Sequence, residues 1–255
     1  MKGPTSNLFN SSLLIMVDSL IDKLIELSIA EDIGDGDHSS LSCIPTEAVG
    51  SVKLMMKQQG VIAGIDIAKL IYNKIDSGIT FQPLVEDGQM LYKGDFVFNA
   101  SGRVHSLLQA ERIVLNVMQR MSGIATQTNK YVKMVEGTKA KILDTRKTTP
   151  GMRVFDKLAV RIGGGENHRM GLYDMIMLKD NHIDFAGGIE NAISKAKEYL
   201  SRTGRNIGIE VETRNLNEVE RVLLVGGVQR IMLDNFNLEN TRAAVKLING
   251  RFETE

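Results

Sequence analysis

Residues 207–234, IGIEVETRNLNEVERVLLVGGVQRIMLD, read as one complete strand–helix–strand unit. The run Ile207–Val211 is largely apolar and leads to Glu212. Asn215, with Glu218 three residues later, resembles a capping box, in which two side chains satisfy backbone N–H groups left open by a helix's first turn. Val219 and Leu223 then keep helical spacing, and Ile231–Leu233 is a second short apolar run, closed by Asp234. Repeated units of this kind imply a parallel sheet.

The same grammar extends upstream. Ala140–Leu143 runs into Asp144, and Met175–Leu178 into Lys179. Met152, Phe155, Ala159 and Ile162 mark one intervening helix. Ile189, Ala192, Ile193, Ala196 and Leu200 mark another, with Gly204 beyond its end. Almost continuous apolarity is what strands buried on both faces require. Open sheets and barrels of this type gather ligands at the carboxyl ends of their strands. Asp144, Lys179, Glu212 and Asp234 are all expected there. For any one of them a solvated strand–helix loop is the alternative; four in register favour a site.

The first half is organised differently. Residues 1–10 read as a polar tail. Ser11–Glu31 carries Leu13, Val17, Leu20, Leu24 and Ile25 on one helical face, opposite Asp18, Asp22 and Glu26. Residues 48–64 read as strands and 65–77 as a short helix. Closely spaced turn signals between 80 and 105, such as Glu86-Asp87-Gly88 and Lys93-Gly94-Asp95, suggest an antiparallel sheet. Helical spacing returns from Leu107 to about Glu136, with Gly123 as a possible interruption. The expected division is an N-terminal α+β domain over 1–110 and a catalytic domain over 111–255.

Lys+Arg and Asp+Glu both total 31, so net charge gives no general attraction to nucleic acid or membrane, and any anion site must be built locally. Cys43 is the single cysteine, which leaves no internal disulfide or cysteine-based zinc spacing and favours a reducing compartment, expected to be cytoplasmic. The apolar run Leu13–Val17 is stopped by Asp18, too early for a signal segment or a membrane span.

Chemistry concentrates in residues 143–182, LDTRKTTPGMRVFDKLAVRIGGGENHRMGLYDMIMLKDNH. Arg146, Lys147, His168, Arg169 and Lys179 could converge on one pocket. Arginine offers a rigid fork to carboxylate or phosphate, and lysine a mobile point charge. In a neutral protein such a group implies a polyanionic ligand. Gly163-Gly164-Gly165 reads first as a tight turn after a helix. His168 and His182 read equally well as local structure. No HxxxH pair or partner cysteine recommends them as metal ligands. On the acidic side, Glu210 and Glu212 share one face of a strand, and Asp234 ends the next. Carboxylates beside a polyanion site suggest Mg²⁺ bridging to substrate oxygens, or stabilisation of positive charge on a sugar; the alternative is salt bridging to the basic cluster.

The strings EDIGDGDHSS (31–40), AERIVLNVMQRMSGIAT (110–126), LDTRKTTPGMR (143–153), GGGENHRMGLYD (163–174), LKDNH (178–182), IEVET (209–213) and IMLDNF (231–236) resemble, in order, those of the quinolinate phosphoribosyltransferases. The resemblance implies an α/β fold: an N-terminal α+β sandwich packed on an incomplete parallel α/β barrel, type II phosphoribosyltransferase-like. It implies conversion of quinolinate and phosphoribosyl pyrophosphate to nicotinate mononucleotide, pyrophosphate and CO₂ in NAD biosynthesis, with Mg²⁺. By matching position, Arg112, Thr145, Arg146, His168, Arg169 and Lys179 would bind substrate. Lys147 would reach both substrates, and Glu212 and Asp234 would lie near the ribose and Mg²⁺. The two glutamates 210 and 212 are separated by position: Glu212 lies nearer the strand's carboxyl end. The resemblance also implies a homodimer with shared active sites, in which Arg112 serves the neighbour. Pairing of Arg112 with its own Glu111 or Asp144 is the alternative.

Related chains continue beyond the equivalent of Phe252–Glu255, by roughly one more βαβ unit of about 30 residues. The expectation is that a C-terminal barrel segment is missing here, at a cost in stability and activity. Three other functions remain open at this point: a phosphoribosyltransferase for nicotinate or another ring acid, a binding protein without turnover, and a Schiff-base aldolase using Lys147 or Lys179.

Overall fold

The computed structural model describes residues 11–255, with side chains from residue 16; the polar tail expected over 1–10 lies outside them. The chain divides into two compact units, one ending at His168 and one spanning Arg169–Glu255.

The first unit opens with α1 (Ser11–Ile33), whose Val17, Ile21 and Ile25 are buried. Their spacing keeps one stripe of the helix apolar, and α1 packs on α4 and α5. Next comes α2 (His38–Cys43), capped by the Asp37 carboxylate, which accepts the Ser40 N–H at 3.2 Å. Strands β1 (Val49–Met55), β3 (Thr80–Pro83) and β5 (Phe96–Arg103) form an antiparallel sheet in the order β1-β5-β3. A second pair joins β2 (Gly60–Val61) to β4 (Met90–Leu91), and α3 (Ile65–Ile75) covers this region. Phe98 packs between Tyr72 and Phe81, with ring centroids 5.9 and 4.6 Å away.

Helix α4 (Val104–Met134) follows β5 without a loop and passes through Gly123 unbroken. A Cβ at Gly123 would meet open space, so this glycine weakens the helix only through its backbone freedom, which packing overrides. The boundary expected at 110/111 falls inside this helix. Helix α5 (Arg153–Ile162) packs on α4.

The second unit contains β6 (Met175–Leu178), α6 (Asp180–Ala186), α7 (Ile189–Thr203), β7 (Gly208–Thr213), α8 (Leu216–Val225), β8 (Arg230–Leu233), α9 (Leu238–Ile248) and β9 (Glu253–Thr254). Its sheet is parallel throughout, ordered β6-β7-β8-β9. Ile193, Ile209, Val211, Val219, Val222, Ile231, Ala244 and Ile248 are buried together, at roughly 1.5–3 kcal/mol for each large side chain. The cap of α8 departs from the expected box. Asn215 accepts the Glu218 N–H at 3.0 Å, but Glu218 reaches one residue further back, to the Arg214 N–H at 2.8 Å. Ala140–Leu143 forms no strand; its one ladder contact is a parallel bridge from Leu143 to Glu166. Among the described residues no helix is long and apolar enough to cross a membrane.

Candidate active site

In the first unit, the loop after Leu143 and the loop after α5 run side by side. The Glu166 N–H donates to the Ile142 carbonyl at 2.8 Å, and the Asp144 N–H to the Glu166 carbonyl at 3.2 Å. Side chains then take over. The Asp144 carboxylate accepts from the His168 N–H at 2.9 Å, and also from Lys157 Nζ and Asn167 Nδ2. Lys157 Nζ donates further to the His168 carbonyl at 3.0 Å, and Asn167 Nδ2 to the Lys157 carbonyl at 2.9 Å. The Lys157 side chain is 1% exposed and that of Asp144 6%.

The Thr145–Thr149 loop is tied down by residues to which the sequence reading gave no role. Arg120 of α4 forks onto Asp156 at 2.7 and 2.8 Å and reaches Thr149 Oγ1 at 2.8 Å. Arg153 donates to Thr148 Oγ1 at 3.2 Å and to the Arg146 carbonyl at 3.4 Å. Thr145 Oγ1 accepts the Lys147 N–H at 3.0 Å, and Lys147 itself is exposed. Nothing in the sequence sets Arg120 and Asp156 apart from the other charges on α4 and α5.

The triple glycine is structural. A Cβ at Gly163 would come within 2.5 Å of the Ala125 carbonyl oxygen, and Gly164 has φ +93°. Only residues without a side chain let this turn lie against α4 and then double back.

Arg146 carries the sharpest indication of a ligand. Its Nε is buried and, among the described residues, has no hydrogen-bond partner. A buried donor left unpaired costs about 1–3 kcal/mol, so such a group calls for an acceptor.

In the second unit, Lys179 follows β6 and caps α6. Its N–H donates to His182 Nδ1 at 3.0 Å, and its Nζ to Glu212 Oε2 at 2.7 Å. His182 is therefore a capping residue here. Glu212 belongs to β7 and pairs in register with Met232 of β8. Asp234 follows β8, with its N–H on the Thr213 carbonyl at 3.0 Å, which places it at the carboxyl end beside β7. Glu210, on the same face as Glu212, is fully buried with Arg230 Nη1 4.0 Å away. Arg169 donates from Nη1 to the Met175 carbonyl at 3.1 Å.

Thr145, Arg146, Lys147 and His168 thus lie on two neighbouring loops of the first unit, and Lys179, Glu212 and Asp234 at the carboxyl ends of β6, β7 and β8 in the second. Arg112 is exposed on α4, and among the described residues nothing pairs with it. Asp144, one of its two candidate partners, is taken by Lys157. A groove of about 1030 Å³ in the first unit is lined by Met55, Phe96, Leu115 and Met118, among others, and by none of the candidate residues, so volume alone does not locate the chemistry.

These features define the class: an α/β protein with cations on two loops of its first unit and a lysine and carboxylates at the strand ends of its second. Comparison with known proteins narrows the class. Residues 37–122 match the family model "Quinolinate phosphoribosyl transferase, N-terminal domain", and residues 124–254 the corresponding C-terminal domain. The chain is 43% identical to quinolinate phosphoribosyltransferase (decarboxylating) 1b of Nicotiana tabacum and 44% identical to the chloroplastic nicotinate-nucleotide pyrophosphorylase (carboxylating) of Arabidopsis thaliana. Each match covers 91% of this chain and 70% of the relative. The fold matches the crystal structure of NadC from Streptococcus pyogenes with a TM-score of 0.86 and 40% identity, over 92% of this chain and 81% of that one. The nicotinate-nucleotide pyrophosphorylase of Francisella tularensis gives 0.85 and 38%, over 92% and 82%. The chain belongs to the quinolinate phosphoribosyltransferase family.

Proposed function

We propose that this protein transfers the phosphoribosyl group of phosphoribosyl pyrophosphate to the ring nitrogen of quinolinate, releasing pyrophosphate and CO₂ and forming nicotinate mononucleotide. The observation that carries this reading is the buried, unpartnered Nε of Arg146, on the same loop as the exposed Lys147. A carboxylate is the acceptor that a guanidinium edge suits best.

In this reading Thr145, Arg146, His168, Arg169 and Lys179 hold the two carboxylates of quinolinate and fix the ring. Lys147 reaches both the acid and the pyrophosphate, so it lowers the repulsion between two polyanions. As the bond from the sugar carbon to pyrophosphate breaks, its electrons leave with pyrophosphate and the sugar carbon becomes cationic. Glu212 and Asp234 stabilise that charge. The ring nitrogen attacks this carbon, and the positive ring then accepts the electrons of the departing C2 carboxylate; a proton takes its place. The protein's share is mainly placement and charge compensation.

Glu212 and Asp234 also fit a magnesium ion. Both present carboxylate oxygens, the donors such a hard cation takes, at neighbouring strand ends, and one Glu212 oxygen is already engaged by Lys179. When bound, the ion would neutralise charge on the pyrophosphate.

The test is incubation of the protein with quinolinate, phosphoribosyl pyrophosphate and Mg²⁺, followed by chromatography for nicotinate mononucleotide. Product should form with quinolinate and far less with nicotinate, since a missing carboxylate leaves cations unpaired at about 1–3 kcal/mol. Equal rates with both acids would refute the assignment.

The exposed, unpaired Arg112 supports a homodimer in which this residue serves the neighbour's site. Exchanging subunits between inactive Arg112→Ala and inactive Lys147→Ala proteins should restore activity, because one site of each mixed dimer would carry neither defect. A mixture that exchanges and stays inactive contradicts the shared site. The free, exposed Cys43 supports a reducing compartment such as the cytoplasm, although some relatives are named chloroplastic or mitochondrial.

A further inference from the structure

We infer that Lys157 and Asp144 are positioning residues: their buried pair sets the backbone of His168 and thereby the binding of the aromatic diacid, without touching it. This rests on the function proposed above.

The argument begins with a missing rung. The parallel bridge between Leu143 and Glu166 uses the Ile142 carbonyl and the Asp144 N–H. In a parallel ladder the next bond would run from the His168 N–H to the Asp144 main-chain carbonyl. It runs instead to the Asp144 carboxylate at 2.9 Å. The side chain has replaced the main chain as acceptor. The Asp144 backbone is thereby released from the ladder and turns into the Thr145–Thr149 loop, while the register of the opposite strand is kept.

The carboxylate also permits something a carbonyl would not. It draws in Lys157, whose ammonium holds the His168 carbonyl at 3.0 Å. The His168 backbone is therefore gripped at its N–H by one member of an ion pair and at its C=O by the other. Asn167 closes the arrangement by donating to both Asp144 and the Lys157 carbonyl. Stability alone gives little reason for charges in such a place, because a well-packed neutral pair of similar size is often as stable or more so; the better-attested use of a buried pair is to specify one arrangement. Here the arrangement specified is the spacing between Thr145-Arg146 on one loop and His168 on the other.

The test uses the full chain with Asp144→Asn and Lys157→Met combined, which removes both charges and leaves an acceptor for the His168 N–H. Thermal melting, quinolinate binding by calorimetry, steady-state kinetics and hydrogen exchange at the His168 amide are measured together. The double variant should melt within a few degrees of the unsubstituted chain yet bind quinolinate at least tenfold more weakly. KM for quinolinate should rise more than kcat falls, and His168 should exchange faster. A folded double variant that binds quinolinate within twofold of the unsubstituted chain overturns the inference. Should the double variant not fold, Asn167→Leu keeps the charges and removes the closing donor; a threefold or larger loss of quinolinate affinity is then expected, and unchanged affinity overturns the inference. An unsubstituted chain that binds no quinolinate at all is a separate outcome: it removes the functional reading, and this inference falls with it.

Discussion

Each unit holds a lysine–carboxylate pair, and the two are built for opposite purposes. Lys157–Asp144 is sealed, with side chains 1% and 6% exposed, and Asn167 and the His168 N–H also donate to the Asp144 carboxylate. Lys179–Glu212 is open on one side: the pair is 2.7 Å apart, but the lysine side chain is 44% exposed and Glu212 only 10%. A sealed pair has no exchangeable partner, because separating it strands a charge away from water. A half-open pair can trade one partner for a ligand at little cost, because solvent supports the intermediate arrangement. The first holds a scaffold in register, and the second is suited to taking part in binding.

The contrast is sharpest at its open extreme, Lys147, whose side chain is exposed. Lys147→Ala should lower kcat/KM by about 10²-fold or more, as loss of one transition-state donor does elsewhere, while the melting temperature stays nearly constant, as for other surface changes. Near-normal kcat/KM would remove Lys147 from the chemistry.

The pairs themselves should separate in stability. Lys157→Met alone should cost about 3–5 kcal/mol of unfolding free energy, since it leaves Asp144 uncompensated. Lys179→Met should cost less than about 1 kcal/mol while still impairing quinolinate binding. Chemical denaturation of the two variants side by side measures this, and equal losses would break the comparison.

A third pair, Asp76 with Arg103, is more open still, with side chains 11% and 60% exposed, and offers the smallest effect. The Arg103 guanidinium, the Ser106 hydroxyl and the Gly78 amide hold the Asp76 carboxyl down to about 2. A folded-state value below the unfolded one means that the stabilisation is present above the ordinary carboxylate range and is lost as pH falls through about 2. Asp76→Asn should therefore lower the melting temperature at pH 7, with the difference shrinking as pH approaches 2. A difference that does not change with pH would show that the carboxylate charge is irrelevant there.

Much of the second unit was legible because parallel strands and amphipathic helices impose periodicities on consecutive residues: Met175–Leu178, Ile231–Leu233 and the α7 stripe were found from spacing. Ala140–Leu143 looked like an equivalent strand and is not one: Leu143 alone makes a bridge, and beyond it the Asp144 side chain takes the His168 N–H, an event that apolarity cannot report. The two-residue β9 and the short α2 and α6 carry too little pattern to register. Thr145, Arg146, Lys147 and His168 were readable as a cluster because they crowd into two short strings. Lys157, Arg120 and Asp156 were not, because a charge that turns inward on a helix looks in sequence like a solvated one. His182 was open between roles until its contact with the Lys179 N–H assigned it to the helix cap.

Helix α4 carries Arg112 near its start and Arg120, the anchor of Thr149, two turns later. At 1.5 Å per residue, those eight positions span about 12 Å along one axis. Since the helix is continuous between them, it behaves as a strut. A displacement of the Thr149 loop that drags Arg120 along the axis moves Arg112 by the same amount and in the same direction, with no joint in between to absorb it.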